Sequence, residues 1–224
     1  MGHEIESAAL ARGHEIVARI DINQDWNSIP GCDVIIDFTT AEAAPEIAKV
    51  AFNKNIAFVS GTTGWNKSLK EIKEYAAEEG KTFFYSSNFS IGANIFFNLN
   101  KRLASFLKHY SGYSAHVHEI HHIHKKDAPS GTAITLAEDI ISDCNLYTHW
   151  TSNKDDVDGL LITSDRSGEV PGTHIVTWDS MVDSIEIKHT AHNRKGLALG
   201  AVIAAEWVIG RTGVFGMKNL LAID

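Results

Sequence analysis

A short stretch of the chain, His118–Thr132, concentrates side chains that could move protons and hold anions. It contains four histidines, two lysines and Glu119, and an imidazole can donate a proton near neutral pH. Pro129 disfavours helix at the residue before it, and Ser130 is placed to cap a helix that begins after it. Because backbone N–H groups at a helix start attract anions, the stretch predicts a carboxylate or phosphate ligand beside a titratable imidazole.

The elements that must position this stretch are a strand before it and a helix after it. Ala115–Ile123 has few helix formers and several β-branched or aromatic neighbours, which indicates a strand. The helical pattern runs through Ala133–Ile141. On the residues alone a purely structural interpretation stays open, in which Ser130 only caps the helix and the lysines are solvated.

The histidines also allow a metal-site hypothesis. Alternate residues of a strand share a face, so His116, His118, His122 and His124 would line one side, with Glu119 and His121 on the other. Two histidines one residue apart are a plausible chelate for Zn²⁺ or Ni²⁺. The neighbouring lysines would repel a cation, so this hypothesis stands second and no metal ligand is assigned.

Bulk composition narrows the class of protein. The chain has 224 residues, 44% of them hydrophobic and 21% charged, which is typical of a globular protein. A formal net charge of -8 disfavours nonspecific nucleic-acid binding. Cys32 and Cys144 have no metal-like spacing, and no apolar run reaches membrane-spanning length. With no signal-like N-terminus, the expected location is the cytoplasm.

The motif E-x-H-H-x-x-K-x-D-x-P-S-G-T-A, here Glu119–Ala133, resembles the signature of the 4-hydroxy-tetrahydrodipicolinate reductase (dihydrodipicolinate reductase) family. The resemblance implies an NAD(P)H-dependent oxidoreductase of diaminopimelate and lysine biosynthesis. It implies that His121 is the general acid and that Lys125 shares the catalytic site. It further implies that the substrate, a small dicarboxylate, is held by His122 and Lys125 together with Ser130, Gly131 and Thr132.

The same resemblance, with the order of the elements, implies an α/β fold in two domains. A Rossmann-like nucleotide domain with a parallel sheet would comprise residues 1–90 and 194–224. An α+β domain with a mixed sheet, residues 91–193, would bind substrate and form the tetramer interface. The parallel strands are expected at Asp33–Phe38, Ile56–Ser60 and Thr82–Tyr85. Residues Asn145–Asp158 are expected to form an irregular loop.

The start of the chain departs from the family pattern. Gly2–Arg12 predicts a helix with Ile5 and Leu10 facing inward, and Glu15–Ile20 predicts a strand. Only Gly2 matches the family's glycine-rich turn, whose last glycine it would be. The family's opening strand and earlier glycines have no counterpart, so we expect an N-terminally truncated nucleotide domain with weakened cofactor binding.

The family's cofactor site is carried onto this chain residue by residue. The expected cofactor is NADH or NADPH, with NADH favoured because Ile22 stands where some relatives carry an arginine for the 2′-phosphate. Ser90–Asn94 resembles the hinge between the two domains. The expected cofactor-binding residues are Gly2, Asp21, Phe38, Gly61, Thr62, Thr63, Ser87, Asn88, Phe89 and Arg194.

The resemblance also covers a second motif and the oligomeric state. Arg166–His174 resembles the family's R-x-G-x-x-x-G-x-H segment and is interpreted as structural and partly interfacial. The family builds a homotetramer, so a homotetramer is expected, with no nucleic-acid or membrane partner. The alternatives are a truncated, inactive protein that still binds a dicarboxylate, and a histidine-rich metal-binding protein.

Overall fold

The computed structural model describes residues 1–21, 24–193 and 195–223, and it divides into two compact units. Unit 1 is Met1–Ile91 with Lys195–Asp224, and unit 2 is Gly92–Arg194. The helices are α1 (Gly2–Ala11), α2 (Ala44–Asn53), α3 (Asn66–Glu78), α4 (Ile91–Leu107), α5 (Gly131–Cys144), α6 (Lys195–Val208) and α7 (Met217–Leu221). The strands are β1 (Val34–Asp37), β2 (Ala57–Ser60), β3 (Thr82–Tyr85), β4 (Ser114–His121), β5 (His149–Thr151), β6 (Gly159–Arg166), β7 (Gly172–Asp179), β8 (Ser184–Ala191) and β9 (Gly213–Phe215).

Unit 1 is built on a parallel sheet in the order β1-β2-β3-β9, which we call sheet A. Its strands are apolar on both faces, so helices must cover both. Phe58 and Phe83 pack with α2 and α3, while Val59 and Phe84 pack with α1 and α6. The carboxyl ends of β1, β2 and β3 lie at one edge of the sheet, which is where ligands bind in parallel α/β sheets.

Unit 2 is built on a mixed sheet in the order β5-β6-β4-β7-β8, which we call sheet B. The central strand β4 alternates along its length, with Val117, Glu119 and His121 buried on the face that α5 covers. The opposite face carries His116 and His118, which are half-buried. The alternation expected for this strand is confirmed, and it brings Glu119 and His121 to the core side.

The α/β class, with a parallel sheet and a mixed sheet, is confirmed, but the strand expected at Glu15–Ile20 is wrong. Ile16 instead packs against the core cluster that includes α1 and α6. Arg19 forms an ion pair with Glu6 of α1. These side-chain contacts hold the segment along α1, so the β-propensity of Ile16 and its neighbours is overridden.

Two short strands were not predicted from the sequence. β5 lies inside the segment expected to be an irregular loop, and it pairs in parallel with β6. β9 pairs in parallel with β3 and adds a strand to sheet A. Each spans too few residues for a periodic pattern to show, and each is defined by its partner strand rather than by its own sequence. Leu10, expected to face inward from α1, is 53% exposed.

None of the helices in the described ranges is both long and apolar enough to cross a lipid bilayer.

Close packing of α6 against the loop after β3 generates a stability prediction. A Cβ atom at Gly200 would lie 1.8 Å from the carbonyl oxygen of Phe89, so we expect Gly200→Ala to lower the free energy of unfolding by about 2 kcal/mol. Gly196 of the same helix is the matched control, because its added Cβ would meet only the Ser90 hydroxyl at 3.9 Å. Urea denaturation of both variants checks this, and equal stabilities would contradict the packing argument.

Candidate functional site

The candidate site in unit 2 is centred on three buried polar side chains from two neighbouring strands. Glu119 and His121 lie on β4, and His174 lies on β7 directly opposite Glu119 in the antiparallel register. His121 Nε2 is 3.3 Å from Glu119 Oε2 and 3.3 Å from His174 Nε2. His174 Nε2 is 3.6 Å from the same carboxylate oxygen. Two imidazoles and a carboxylate therefore meet inside the unit.

Glu119 is fully buried, so its charge must be compensated by nearby donors. The backbone N–H of Ser130 donates to both carboxylate oxygens, at 3.1 and 3.2 Å, and Arg166 Nη2 donates to Oε1 at 3.3 Å. Burial raises the pKa of Glu119, but hydrogen bonds from His174, Ser130 and Ser164 outweigh burial and leave the pKa well below its usual value. Glu119 is therefore an ionised carboxylate.

Ser130 links this carboxylate to the start of α5. Its side-chain oxygen accepts a hydrogen bond from the backbone N–H of Ala133 at 3.2 Å, so the expected N-cap is confirmed. The same oxygen lies 3.2 Å from His174 Nε2. Gly131 and Thr132 form the first turn of the helix, Gly131 exposed and Thr132 half-buried. A single residue thus joins the helix start to the buried cluster.

The environment of His121 disfavours its protonated form. Burial is the largest cause that lowers the pKa of His121, the nearby His174 and Lys125 lower it further, and Glu119 opposes them. A hydrogen bond with the Pro171 backbone also favours the charged ring. The net direction is downward, so His121 gives up its proton more readily than an ordinary histidine.

The other residues expected to bind substrate lie in the loop after β4. Lys125 donates hydrogen bonds to both oxygens of Asp127, at 2.8 and 2.7 Å. The half-buried His122 has a buried Nδ1 atom that makes no hydrogen bond with any described residue. The expected set is therefore split between the start of α5 and this loop, and Lys125 is paired with a carboxylate of its own chain.

A second buried carboxylate organises the carboxyl edge of sheet A. Asp37 ends β1 and accepts hydrogen bonds from the Thr39 backbone N–H (3.1 Å) and hydroxyl (2.6 Å). It also accepts hydrogen bonds from the hydroxyls of Ser60 at 2.7 Å and Thr62 at 2.8 Å. Thr62, expected to bind cofactor, therefore holds the loops after β1 and β2 together.

The remaining expected cofactor residues fall at three places in unit 1. Gly2 begins α1, and Asp21 is exposed at the end of the irregular segment after it. Phe38, Gly61 and Thr63 follow β1 and β2, and the Phe38 ring lies so close to Gly61 that a Cβ there would be 2.3 Å from it. Ser87, Asn88 and Phe89 follow β3, with Ser87 exposed and Phe89 buried. Ile22 and Arg194 lie outside the described residues.

A cavity of about 310 Å³ also opens near this edge of sheet A. Its lining comes from the loop before α2 and the start of α3, and it includes Glu42, Trp65 and Lys67. None of the expected cofactor residues that the structure describes lines it.

The sequence motif predicts a structural and partly interfacial role for Arg166 and His174, and Asp37 is not among the predicted site residues. The structure brings Arg166 and His174 against Glu119. The motif identifies the two residues, but the register that sets His174 opposite Glu119 is fixed by strand pairing and cannot be inferred from the local sequence. For Asp37 the available signal was an aspartate at the end of an apolar strand.

The chain matches two family models and two relatives over most of its length. A family model described as "Dihydrodipicolinate reductase, N-terminus" matches residues 1–89, and "Dihydrodipicolinate reductase, C-terminus" matches residues 92–221. The chain is 44% identical over 225 residues to a 4-hydroxy-tetrahydrodipicolinate reductase of Christiangramia forsetii, covering 99% of the chain and 94% of that relative. It is 39% identical over 200 residues to the reductase of the same name from Methanoculleus marisnigri, covering 85% of the chain and 76% of the relative.

A solved structure resembles the chain over nearly its whole length. It is a dipicolinate-bound dihydrodipicolinate reductase from Paenisporosarcina sp. TG-14, with a TM-score of 0.76, 20% sequence identity, and coverage of 96% of this chain and 95% of that one. At this identity the likeness establishes the fold alone.

The hydrogen-bond network of Asp37 generates the second prediction. Asp37→Asn puts an amide where one carboxylate oxygen accepts from Ser60 and Thr62, so we expect a loss of about 1–3 kcal/mol in unfolding free energy. Asp33→Asn is the control, because Asp33 is exposed just before the same strand and should change stability by less than about 0.5 kcal/mol. Urea denaturation measures both, and similar losses would show that the buried network is not what stabilises this edge.

Proposed function

The chain belongs to the dihydrodipicolinate reductase family, and on that premise we propose that His121 of unit 2 protonates a bound dicarboxylate substrate during its reduction. The chain has the dihydrodipicolinate reductase function of lysine and diaminopimelate biosynthesis, and the family uses a nicotinamide cofactor. The observation that carries the proposed role is the buried His121 held between ionised Glu119 and His174. The alternatives of an inactive dicarboxylate-binding protein and of a histidine-rich metal-binding protein are not favoured.

The proposed chemistry requires a proton donor at the substrate's ring nitrogen. A nicotinamide cofactor, when bound, would supply a hydride to C4 of the conjugated imine. The ring nitrogen would then carry the displaced electron pair, and His121 would donate the proton that this nitrogen takes. His121 has its pKa lowered by burial and by His174 and Lys125, so it is a stronger acid than a free imidazole. Incoming substrate carboxylates would favour its protonated form by charge, so protonation and substrate binding support each other.

We propose that one substrate carboxylate binds between the loop after β4 and the start of α5. Lys125 contributes the charge, and its present partner Asp127 is largely exposed, so exchanging it for a substrate carboxylate costs little. The backbone N–H groups of Gly131 and Thr132, in the first turn of α5, add donors. His122 supplies a further polar atom, because its buried Nδ1 makes no hydrogen bond within the described chain.

We propose that the cofactor binds at the carboxyl edge of sheet A and at the start of α1. No side chain among the described residues caps the first turn of α1, so its N–H groups are proposed to bind a phosphate next to Gly2. The exposed Thr63 and Ser87 offer a surface for the nicotinamide end, with Gly61, Phe38, Asn88 and Phe89 around it. Asp37 and Thr62 hold these loops in place.

NADH is the proposed cofactor in preference to NADPH. The support is Asp21, whose exposed carboxylate would accept hydrogen bonds from ribose hydroxyls and would repel a 2′-phosphate. The assignments of Ile22 and Arg194 rest on the sequence alone. A higher kcat/KM with NADH than with NADPH checks this preference, and the reverse order would refute it.

We also propose a cytoplasmic location, because Cys32 and Cys144 are both unpaired, and fractionation of cells would test it.

The test of the catalytic assignment is a pair of substitutions with different kinetic signatures. His121→Gln should lower kcat by about 10²- to 10⁴-fold with a much smaller change in KM, because it removes a proton donor. Lys125→Ala should raise KM and lower kcat, each by about tenfold or more, because it removes charge and orientation together. Steady-state kinetics measure both.

His118→Gln is the control for these two variants. His118 lies on the same strand as His121 but on the opposite face, where its Nδ1 atom bonds Thr163 Oγ1 at 2.8 Å. Its kinetic constants should stay within about threefold of the parent. Equal, mild effects of His121→Gln and Lys125→Ala would count against the roles assigned to both.

We propose that the chain forms a homotetramer through the face of sheet B that α5 does not cover. Ile120, Leu161 and Ile175 on that face are half-buried and apolar, which suits association with another copy. Light scattering on the purified chain should give the mass of four copies. Ile175→Glu should give a smaller species, whereas Val157→Glu, at a residue 89% exposed, should not. A monomeric parent chain would refute the proposal.

A further inference from the structure

We propose that Glu119, His121 and His174 form a binding site for a divalent transition-metal ion, with Zn²⁺ as the best fit. Their ligand atoms, Glu119 Oε2, His121 Nε2 and His174 Nε2, lie within 4.8 Å of one another, and all three residues are buried. Two imidazole nitrogens and one carboxylate oxygen are a ligand set that zinc takes in catalytic sites. The opposite face of β4, where the H-x-H pattern had suggested a chelate, instead places His116 and His118 on Thr163.

The distances between the three atoms match the dimensions of a zinc site. Metal–ligand bonds of about 2.0–2.1 Å at tetrahedral angles put neighbouring ligand atoms about 3.3–3.4 Å apart. The three edges here are 3.3, 3.3 and 3.6 Å. One ion could therefore contact all three atoms with little movement, and a fourth position would remain open for water or another ligand.

Residues that contact the proposed ligands fix their orientation, as the residues around a metal site fix the side chains that bind the metal. Metal-binding histidines usually donate their second ring nitrogen to a carbonyl or carboxylate. His121 makes a hydrogen bond with the Pro171 backbone, and Gly172 packs against the Cε1–Nδ1 side of its ring. Arg166 and the Ser130 N–H orient the Glu119 carboxylate, with Arg166 on Oε1 and Oε2 left facing the histidines. His121 and Glu119 are therefore oriented before any ion arrives.

The surrounding charges limit how tightly an ion would bind. Arg166 lies 3.3 Å from the Glu119 carboxylate and repels a cation. Lys125 is also near His121, although Asp127 offsets its charge. Hard ions such as Mg²⁺ and Ca²⁺ prefer oxygen ligands and would gain little from two imidazoles. A borderline ion that binds imidazole strongly remains favoured, and the binding would be reversible rather than structural.

Metal and proton would then compete for the same nitrogen. A bound ion takes the lone pair of His121 Nε2, the atom that faces Glu119 and His174, and leaves the ring unable to carry a proton there. Zn²⁺ would therefore inhibit the reductase by displacing its acid. This consequence rests on the proposed role of His121, whereas metal binding itself does not.

The experiment measures metal binding directly, on the untagged full chain stripped of metal and free of substrate and cofactor. Zn²⁺ is titrated in competition with a chromophoric chelator at neutral pH. We expect one equivalent of Zn²⁺ per chain, with an affinity that His174→Gln weakens by at least about tenfold. His118→Gln removes a histidine from the opposite face of the same sheet and should leave the affinity within about twofold. Dipicolinate is left out of this assay because it chelates zinc.

A spectroscopic measurement on the unaltered chain covers the case in which His174→Gln does not fold. Co²⁺ in a four-coordinate site gives intense visible absorption bands, whereas six-coordinate Co²⁺ gives weak ones, so intense bands that excess Zn²⁺ abolishes support the proposal. Absence of competition with the chelator, equal losses in His174→Gln and His118→Gln, or only weak six-coordinate bands would each overturn it. The His121→Gln kinetics are measured in EDTA, so the catalytic and metal proposals can fail separately.

Discussion

The charge of Glu119 is the constraint on which unit 2 depends. A buried carboxylate without partners would cost several kcal/mol, so every element around it must supply a donor or a cation. β6 supplies Arg166, β7 supplies His174, and the N-cap of α5 supplies the backbone N–H of Ser130. One side chain on the central strand thereby ties two neighbouring strands and a helix start to one point. The position of the candidate acid, His121, follows from that arrangement.

Unit 1 uses the same device at a different place. Asp37 is buried at the end of β1 and accepts hydrogen bonds from the hydroxyls of Thr39 and Thr62, in the loops after β1 and β2, and of Ser60, at the end of β2. In both units a buried acidic residue of a strand accepts several hydrogen bonds from neighbouring segments. The difference lies in the partners: Asp37 faces neutral hydroxyl and amide donors, whereas Glu119 faces Arg166 and two imidazoles. Of these two sets of partners, only that of Glu119 includes imidazoles, which can exchange a proton or bind a metal.

Much of the fold followed from local sequence, and the missing parts have physical causes. The apolar runs of β1, β2 and β3 and the capping role of Ser130 were predictable because hydrophobic pattern and turn chemistry act over a few neighbouring residues. The Glu15–Ile20 strand was wrong because contacts with α1 and α6 replaced strand pairing. β5 and β9 were missed because three residues carry no period. For the candidate site, the motif located His121 and Glu119, but the contacts of Arg166 and His174 depend on registers between distant segments.

The two-segment composition of unit 1 has a consequence for the synthesis of the chain. Chains emerge from the ribosome N-terminus first, and domains fold as units. Unit 2 is continuous, so all of its strands exist once residue 194 has been made. Sheet A must wait for β9 to complete its edge and for α6 to cover Val59 and Phe84. The nascent protein therefore passes through a stage in which unit 2 can be finished while one apolar face of sheet A still lacks the cover that α6 gives it.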